Sequence, residues 1–174
     1  MSAPDAALVV AVIALSGTLA ASQLTAKASR RAAFVQELRV RTADAFREAF
    51  AVQHAMEWVT WHALHDPDAL DEAMKREYAA EVHRALPALL GAIAATAALS
   101  LDVYDGMQPI LEALYKLEEE VAREMRFVGS HGPPREEAID GLSALADRAQ
   151  QLYKDLPIRL AAVMALAADP SKGV

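Results

Sequence analysis

The chain has 174 residues, enough for one domain with an appended segment but too few for two ordinary domains. Hydrophobic residues make up 54%, aromatics only 6%, and alanine roughly a fifth, a profile of long alanine-rich helices that excludes folds built mainly from strands. The absence of cysteine excludes disulfides, thiolate nucleophiles and Cys-ligated metal or iron–sulfur sites, while leaving the redox compartment open.

From Ala6 to Ala26 no residue is charged, and a helix of 21 residues at ~1.5 Å each reaches about the thickness of a bilayer core. Leu8, Val9, Val10, Val12, Ile13 and Leu15 fill its first half, whereas Ser, Gly, Thr and Gln residues dilute its second half. Gly17, Ala21 and Thr25 place small side chains on one stripe suited to helix–helix contact. Only Asp5 precedes this stretch, so it lacks the positive start of a secretory signal. Lys27, Arg30 and Arg31 follow it and would meet anionic lipid headgroups. The expectation is a single transmembrane anchor over 1–26, with the N-terminus outside the cell membrane and the bulk of the chain cytoplasmic. The competing reading makes residues 6–26 a buried helix of a soluble bundle.

The net charge of −7 hides a gradient: residues 27–41 carry +4, and the remainder beyond them carries −10. A basic collar (27–41) thus precedes an acidic body (42–174). The body has no basic stripe and no nucleic-acid motif, so no nucleic-acid partner is expected.

No glycine or proline occurs between Gly17 and Pro67, so the anchor can continue unbroken into a helix of nearly fifty residues. Phe34, Leu38, Ala45, Ala49, Val52, Met56, Val59 and Ala63 form a heptad-like seam, flanked by Phe46 and Phe50. Such a seam requires a partner helix from the same chain or another copy, and Phe34, Leu38, Phe46, Phe50 and Met56 are its candidate interaction residues. Asp66 and Pro67 predict a cap and first turn for a second helix, with Leu70, Met74, Tyr78, Val82, Leu86, Leu89, Ile93 and Ala97 inward and Pro87 as a kink or break. Residues 85–101 are uncharged but rich in alanine and broken by Pro87 and Gly91, which favours a buried helix over a second span.

Asp105 and Gln108 read as a variant capping box opening a third helix, with Ile110, Leu114, Leu117, Val121, Met125 and Val128 inward and Glu118, Glu119 and Glu120 mostly outward. The run Gly129 to Pro134 is a loop cluster. A fourth helix then carries Leu142, Leu145, Ala149, Leu152, Leu156, Leu160 and Val163, interrupted at Pro157. The expected class is all-α: a transmembrane helix continuing into an antiparallel bundle of about four long helices.

His54, His62 and His65 on the first long helix and His83 on the second are weak metal candidates, because His62 and His65 are three apart on one face. No Glu-x-x-His pair supports a di-iron site, and no cofactor is expected. Trp58 and Trp61 are expected to pack between helices near the hairpin. Motifs for acyl transfer or phosphate binding are absent, so no catalytic residue is expected.

The uncharged leader, the basic run from Lys27 to Arg31, and the stretches Phe34-Val35-Gln36-Glu37-Leu38-Arg39 and Asp44-Ala45-Phe46 resemble small single-pass proteins of high-GC Gram-positive bacteria. The likeness lies in composition and layout over about the first 65 residues. It implies an anchored helical body and carries no activity and no functional residue. The leading expectation is a non-enzymatic, membrane-anchored bundle acting through a protein partner or self-association. The alternatives are a metal- or ligand-binding bundle and a small hole-forming membrane protein.

Overall fold

The computed structural model describes residues 3–131 and 133–168, with the side chains of residues 21–131 and 135–168. Among these the chain is all-α, with four α-helices and no strand: α1 (Ala3–His65), α2 (Glu72–Ala97), α3 (Leu101–Met125) and α4 (Pro133–Ala168). The chain divides into two compact units, residues 1–37 and residues 38–174.

In the first unit none of the side chains described, 21–37, is buried; Leu24 is 69% exposed and Phe34 37%. The predicted anchor falls largely on residues 6–20, whose side chains lie outside the described residues. No helix among the described residues is long and apolar enough to cross a membrane.

The second unit is an antiparallel four-helix bundle. Its α1 portion buries Leu38, Ala45, Phe46, Ala49, Val52, Met56, Val59 and Ala63. The partner helices for this stretch of seam are therefore supplied by the same chain, and the core is one continuous cluster drawn from all four helices. On α2 the buried face is rotated slightly from the predicted one near its end, with Ala85 and Thr96 buried and Leu86 and Ala97 half-buried. The charge-free run from Ala85 onward is bundle core: Leu89 and Ile93 are buried, and the helix stops at Ala97.

Two predicted helix starts move. Asp66 makes no side-chain cap; it precedes a single 3₁₀ turn, Pro67–Ala69, and the cap of α2 is Asp71, accepting from the amides of Ala73 and Met74 at 2.9 Å. A carboxylate in this position meets free amides and the positive end of the helix together. On α3 the cap is Ser100, in extended conformation and accepting from Val103 N at 3.4 Å, so Asp105 and Gln108 lie inside the helix rather than opening it. Pro87, Pro109 and Pro157 all lie within helices without ending them. Each is exposed, so the carbonyl each leaves unpaired one turn back is on the wet side of its helix.

Cations close the turns at one end of the bundle. Lys75 Nζ donates to the carbonyls of Arg126 (2.9 Å) and Val128 (3.1 Å) beyond α3, and Arg135 donates to those of Pro67 (3.1 Å) and Leu70 (3.3 Å). They occupy carbonyl acceptors that the turns leave without helical partners. The turn between α3 and α4 requires Gly129, the one described residue at positive φ (90°). Helices α3 and α4 approach closely through a reciprocal glycine arrangement. A Cβ at Gly106 of α3 would press on Val163 and Leu166 of α4 at 3.3 Å, and one at Gly141 of α4 would crowd the Glu124 side chain of α3.

The core is not wholly apolar. Thr42, Thr60 and Thr96 are buried, and each hydroxyl returns its proton to a carbonyl of the preceding turn: Leu38 (2.7 Å), Met56 (2.9 Å) and Ile93 (2.7 Å). Gln53 is fully buried; its Nε2 donates across the bundle to Ala149 O at 3.1 Å, while its Oε1 has no partner among the described residues. An unpaired buried amide oxygen costs about 1–3 kcal/mol, more than a single neutral hydrogen bond returns. The variant Gln53→Leu is therefore expected to match or exceed the wild type by about 1 kcal/mol in urea denaturation, and Gln53→Glu to lose several kcal/mol at pH 7. A large loss for Gln53→Leu would show that the hydrogen bond to Ala149 outweighs the orphaned oxygen.

Candidate functional site

The predicted histidines do not converge. His54 is exposed beside a groove between α1 and α2 that Trp58, Tyr78, Glu81 and Arg84 also line. His83 Nδ1 lies 2.7 Å from Ala79 O and His65 Nδ1 3.0 Å from Trp61 O; since a carbonyl only accepts, both nitrogens donate. His62 is half-buried between the two tryptophans, edge-on to Trp58 at 5.8 Å and to Trp61 at 5.0 Å, with Asp66 4.0 Å away. Among the described residues no three His, Asp or Glu side chains are grouped so as to hold a metal ion.

The other predicted positions separate by unit. Leu38, Phe46 and Met56 are buried in the bundle core, and Phe50 packs against it, its ring 6.5 Å from Tyr153 in an edge-on contact. Phe34, in the first unit, is the exposed member of the seam. Of the small-residue stripe, Gly17 lies outside the described side chains. Ala21 and Thr25 are exposed, Thr25 Oγ1 donating to Ala21 O at 2.9 Å. Lys27, Arg30 and Arg31 are all exposed.

Charged groups are arranged across helix pairs in ways the sequence did not signal. Glu48 of α1, buried, takes Arg47 at 3.0 Å and Arg84 of α2 at 3.2 Å, and Arg84 also holds Glu81 at 2.6 Å. Arg148 of α4 grips Glu120 of α3 with both terminal guanidinium nitrogens. The hydrogen bonds from Arg84 and Arg148 hold the Glu81 and Glu120 carboxyls below the ordinary glutamate range.

Glu118 behaves in the opposite way. Expected to face outward, it is half-buried in a cleft between α2 and α3 with Tyr78, His83 and Met125. Burial pushes its carboxyl above the ordinary value, Glu119 adds to this, and His83 offsets part of it. The Tyr78 hydroxyl has no hydrogen-bond partner among the described residues and is sealed from water; burial, aided by the Glu118 charge, raises it strongly.

Trp58 and Trp61 divide their roles. Trp58 packs against the core, as expected of both, but Trp61 is 50% exposed and Leu64 52%. With His65, Glu57, Asp147 and Gln150 these two line a notch of about 80 Å³ between α1 and α4. The His65 imidazole stacks on the Trp61 indole, centroids 4.8 Å apart and planes at 14°. Sequence periodicity could not reveal this notch, because it depends on how two helices some ninety residues apart are turned toward each other.

Comparison of the chain with family models, curated proteins and solved structures finds no match.

Glu118 provides a pH test of the electrostatics. A carboxyl raised on folding favours the folded state most below its unfolded value, and that contribution is lost as pH rises through the folded value. Glu118→Gln is thus expected to raise Tm at pH 7 and to leave it little changed at pH 4. An equal effect at both pH values would remove ionisation of Glu118 as the cause.

Proposed function

We propose that the protein is a non-enzymatic helical bundle that works by association, binding a protein partner or a second copy. The observation that carries this reading is the first unit: a helical segment in which no described side chain from 21 to 37 is buried, although Leu24 and Phe34 are apolar. Helices gain most of their stability by packing one face, and over 21–37 no described side chain is buried, which favours an external surface for this stretch. The bundle, by contrast, spends Leu38, Phe46 and Met56 on its own core, so association uses other residues.

For the N-terminal stretch the proposed surface is a bilayer. The run from Ala6 to Ala26 carries no charge, and Lys27, Arg30 and Arg31 follow it. This order favours a single-pass anchor with the N-terminus outside and residues 27–174 in the cytoplasm, the cations meeting lipid headgroups. The stripe of Gly17, Ala21 and Thr25 would then serve contact with a neighbouring helix in the membrane.

The test is fractionation of the full-length protein beside a version starting at Lys27, with an alkaline carbonate wash. Full-length protein retained in the washed membranes, with the shorter version released, is the expected result. Release of both forms would overturn the anchor. Association is tested separately by sedimentation of the full-length protein in detergent: Leu24→Glu with Phe34→Glu is expected to shift an oligomer toward monomer while leaving the helical signal unchanged. A monomer at all concentrations, with no change in the variant, would overturn self-association.

A further inference from the structure

We propose that the notch between α1 and α4 is a receptor for the guanidinium of an arginine side chain presented by the protein partner. This deepens the association reading and rests on it. Three features of the notch argue for that chemistry.

The first is charge. Glu57 on α1 and Asp147 on α4 both line the notch, and neither has an ion-pair partner among the described residues. Elsewhere on the bundle Asp44, Glu48, Glu81 and Glu120 are each taken by an arginine of the same chain. Two uncompensated carboxylates from different helices leave the notch with a double negative charge. A planar fork of N–H donors matches that charge better than a point cation.

The second is the aromatic wall. Guanidinium groups stack on aromatic faces, with indole the best of them. The indole of Trp61 is half exposed, yet its surroundings hold it in place. His65 covers one face of it and is tied to its backbone carbonyl, and His62 meets it at 5.0 Å and 89°, which leaves the exposed half of the ring for a guanidinium. A side chain held in its binding geometry loses little freedom when a partner arrives. A half-exposed Trp beside Leu64 is also the residue type that anchors protein interfaces.

The third is size. At about 80 Å³ the notch holds one side-chain head group and falls far short of the ~300–1,000 Å³ usual for drug-sized ligands. The Gln150 amide at its edge offers a further carbonyl acceptor.

The experiment uses the full-length protein in detergent at pH 8, above the ordinary range of histidine, so that imidazole charge does not compete. The probe is the peptide acetyl-Ala-Ala-Arg-Ala-Ala-amide, compared with matched peptides carrying lysine or neutral citrulline. The readout is the Trp61 indole N–H resonance, assigned with Trp61→Phe, with the Trp58 resonance as an internal check on the fold. The arginine peptide is expected to shift Trp61 saturably with a Kd on the order of 1 mM, the lysine peptide more weakly and the citrulline peptide hardly at all. The double variant Glu57→Gln, Asp147→Asn is expected to weaken arginine binding by about fivefold, with Trp58 unmoved.

Equal binding of arginine and citrulline, an unchanged affinity in the double variant, or no Trp61 shift at 10 times the expected Kd would each overturn the proposal. Failure of the wider reading looks different. A protein that self-associates or holds its partner equally well with Glu57→Gln, Asp147→Asn keeps the association reading and loses the notch. One that takes the arginine peptide at Trp61 but neither associates nor stays in washed membranes keeps the notch as a guanidinium site and loses the wider reading.

Discussion

Burial of one aliphatic face of α1, from Leu38 to Ala63, is the constraint on which the bundle depends. That face meets α2 through the Glu48–Arg84 pair and the groove around Trp58 and Tyr78, and α4 through Gln53 and Phe50. It makes α1 a wall of the core and also fixes which of its residues are left over. Because the core uses the seam itself, what remains for an external partner is the flank of the helix, where Glu57, Trp61 and Leu64 lie. Before Leu38 no described residue of α1 is buried, and there the same apolar spacing has no packing partner among the described residues of its unit.

The polar groups inside the bundle follow a consistent economy of hydrogen bonding. Thr42 and Thr60 satisfy their hydroxyls on their own helix and need nothing from a neighbour, while Thr96, bonded to Ile93 O, also lies 3.7 Å from Met107 Sδ of α3. Gln53 differs because its donor bonds to α4, and its amide oxygen has no partner among the described residues. That bond carries directional information between α1 and α4 that aliphatic contacts lack. The Arg148–Glu120 pair ties α3 to α4 at the surface, where such a pair contributes only about 0–1 kcal/mol, and the Arg84–Glu48 pair ties α1 to α2 through a carboxylate that is itself buried.

The helices and their buried faces were legible in the sequence because they rest on a period of 3.6, which Ile110 through Val128 and Leu142 through Val163 display plainly. Helix starts were less legible, since Asp66 and Asp71, or Ser100 and Asp105, are chemically competent caps and the choice between them depends on where the preceding helix lets the chain turn. Breaks at Pro87 and Pro157 do not occur, since both helices continue through prolines that face water. The candidate site was the least legible part. A histidine pair three apart, His62 and His65, suggested a metal, whereas both rings are engaged with Trp61. The pairing of Glu57 with Asp147 at one notch is set by helix rotation, which no local pattern encodes.

The glycine-mediated approach of α3 and α4 also bears on the order in which the bundle assembles. Gly141 meets Glu124 near the short turn that joins α3 to α4, and Arg84 meets Glu48 across 36 positions near the turn that joins α1 to α2, whereas Gln53 reaches Ala149 only across 96 positions. Loop-closure entropy favours the nearer contacts, which places the α1–α2 and α3–α4 hairpins ahead of the docking of α1 against α4. The same ordering makes the α1–α4 contact, rather than either hairpin, the first to open in native-state hydrogen exchange. Equal protection across all four helices would instead mark the bundle as a single cooperative unit.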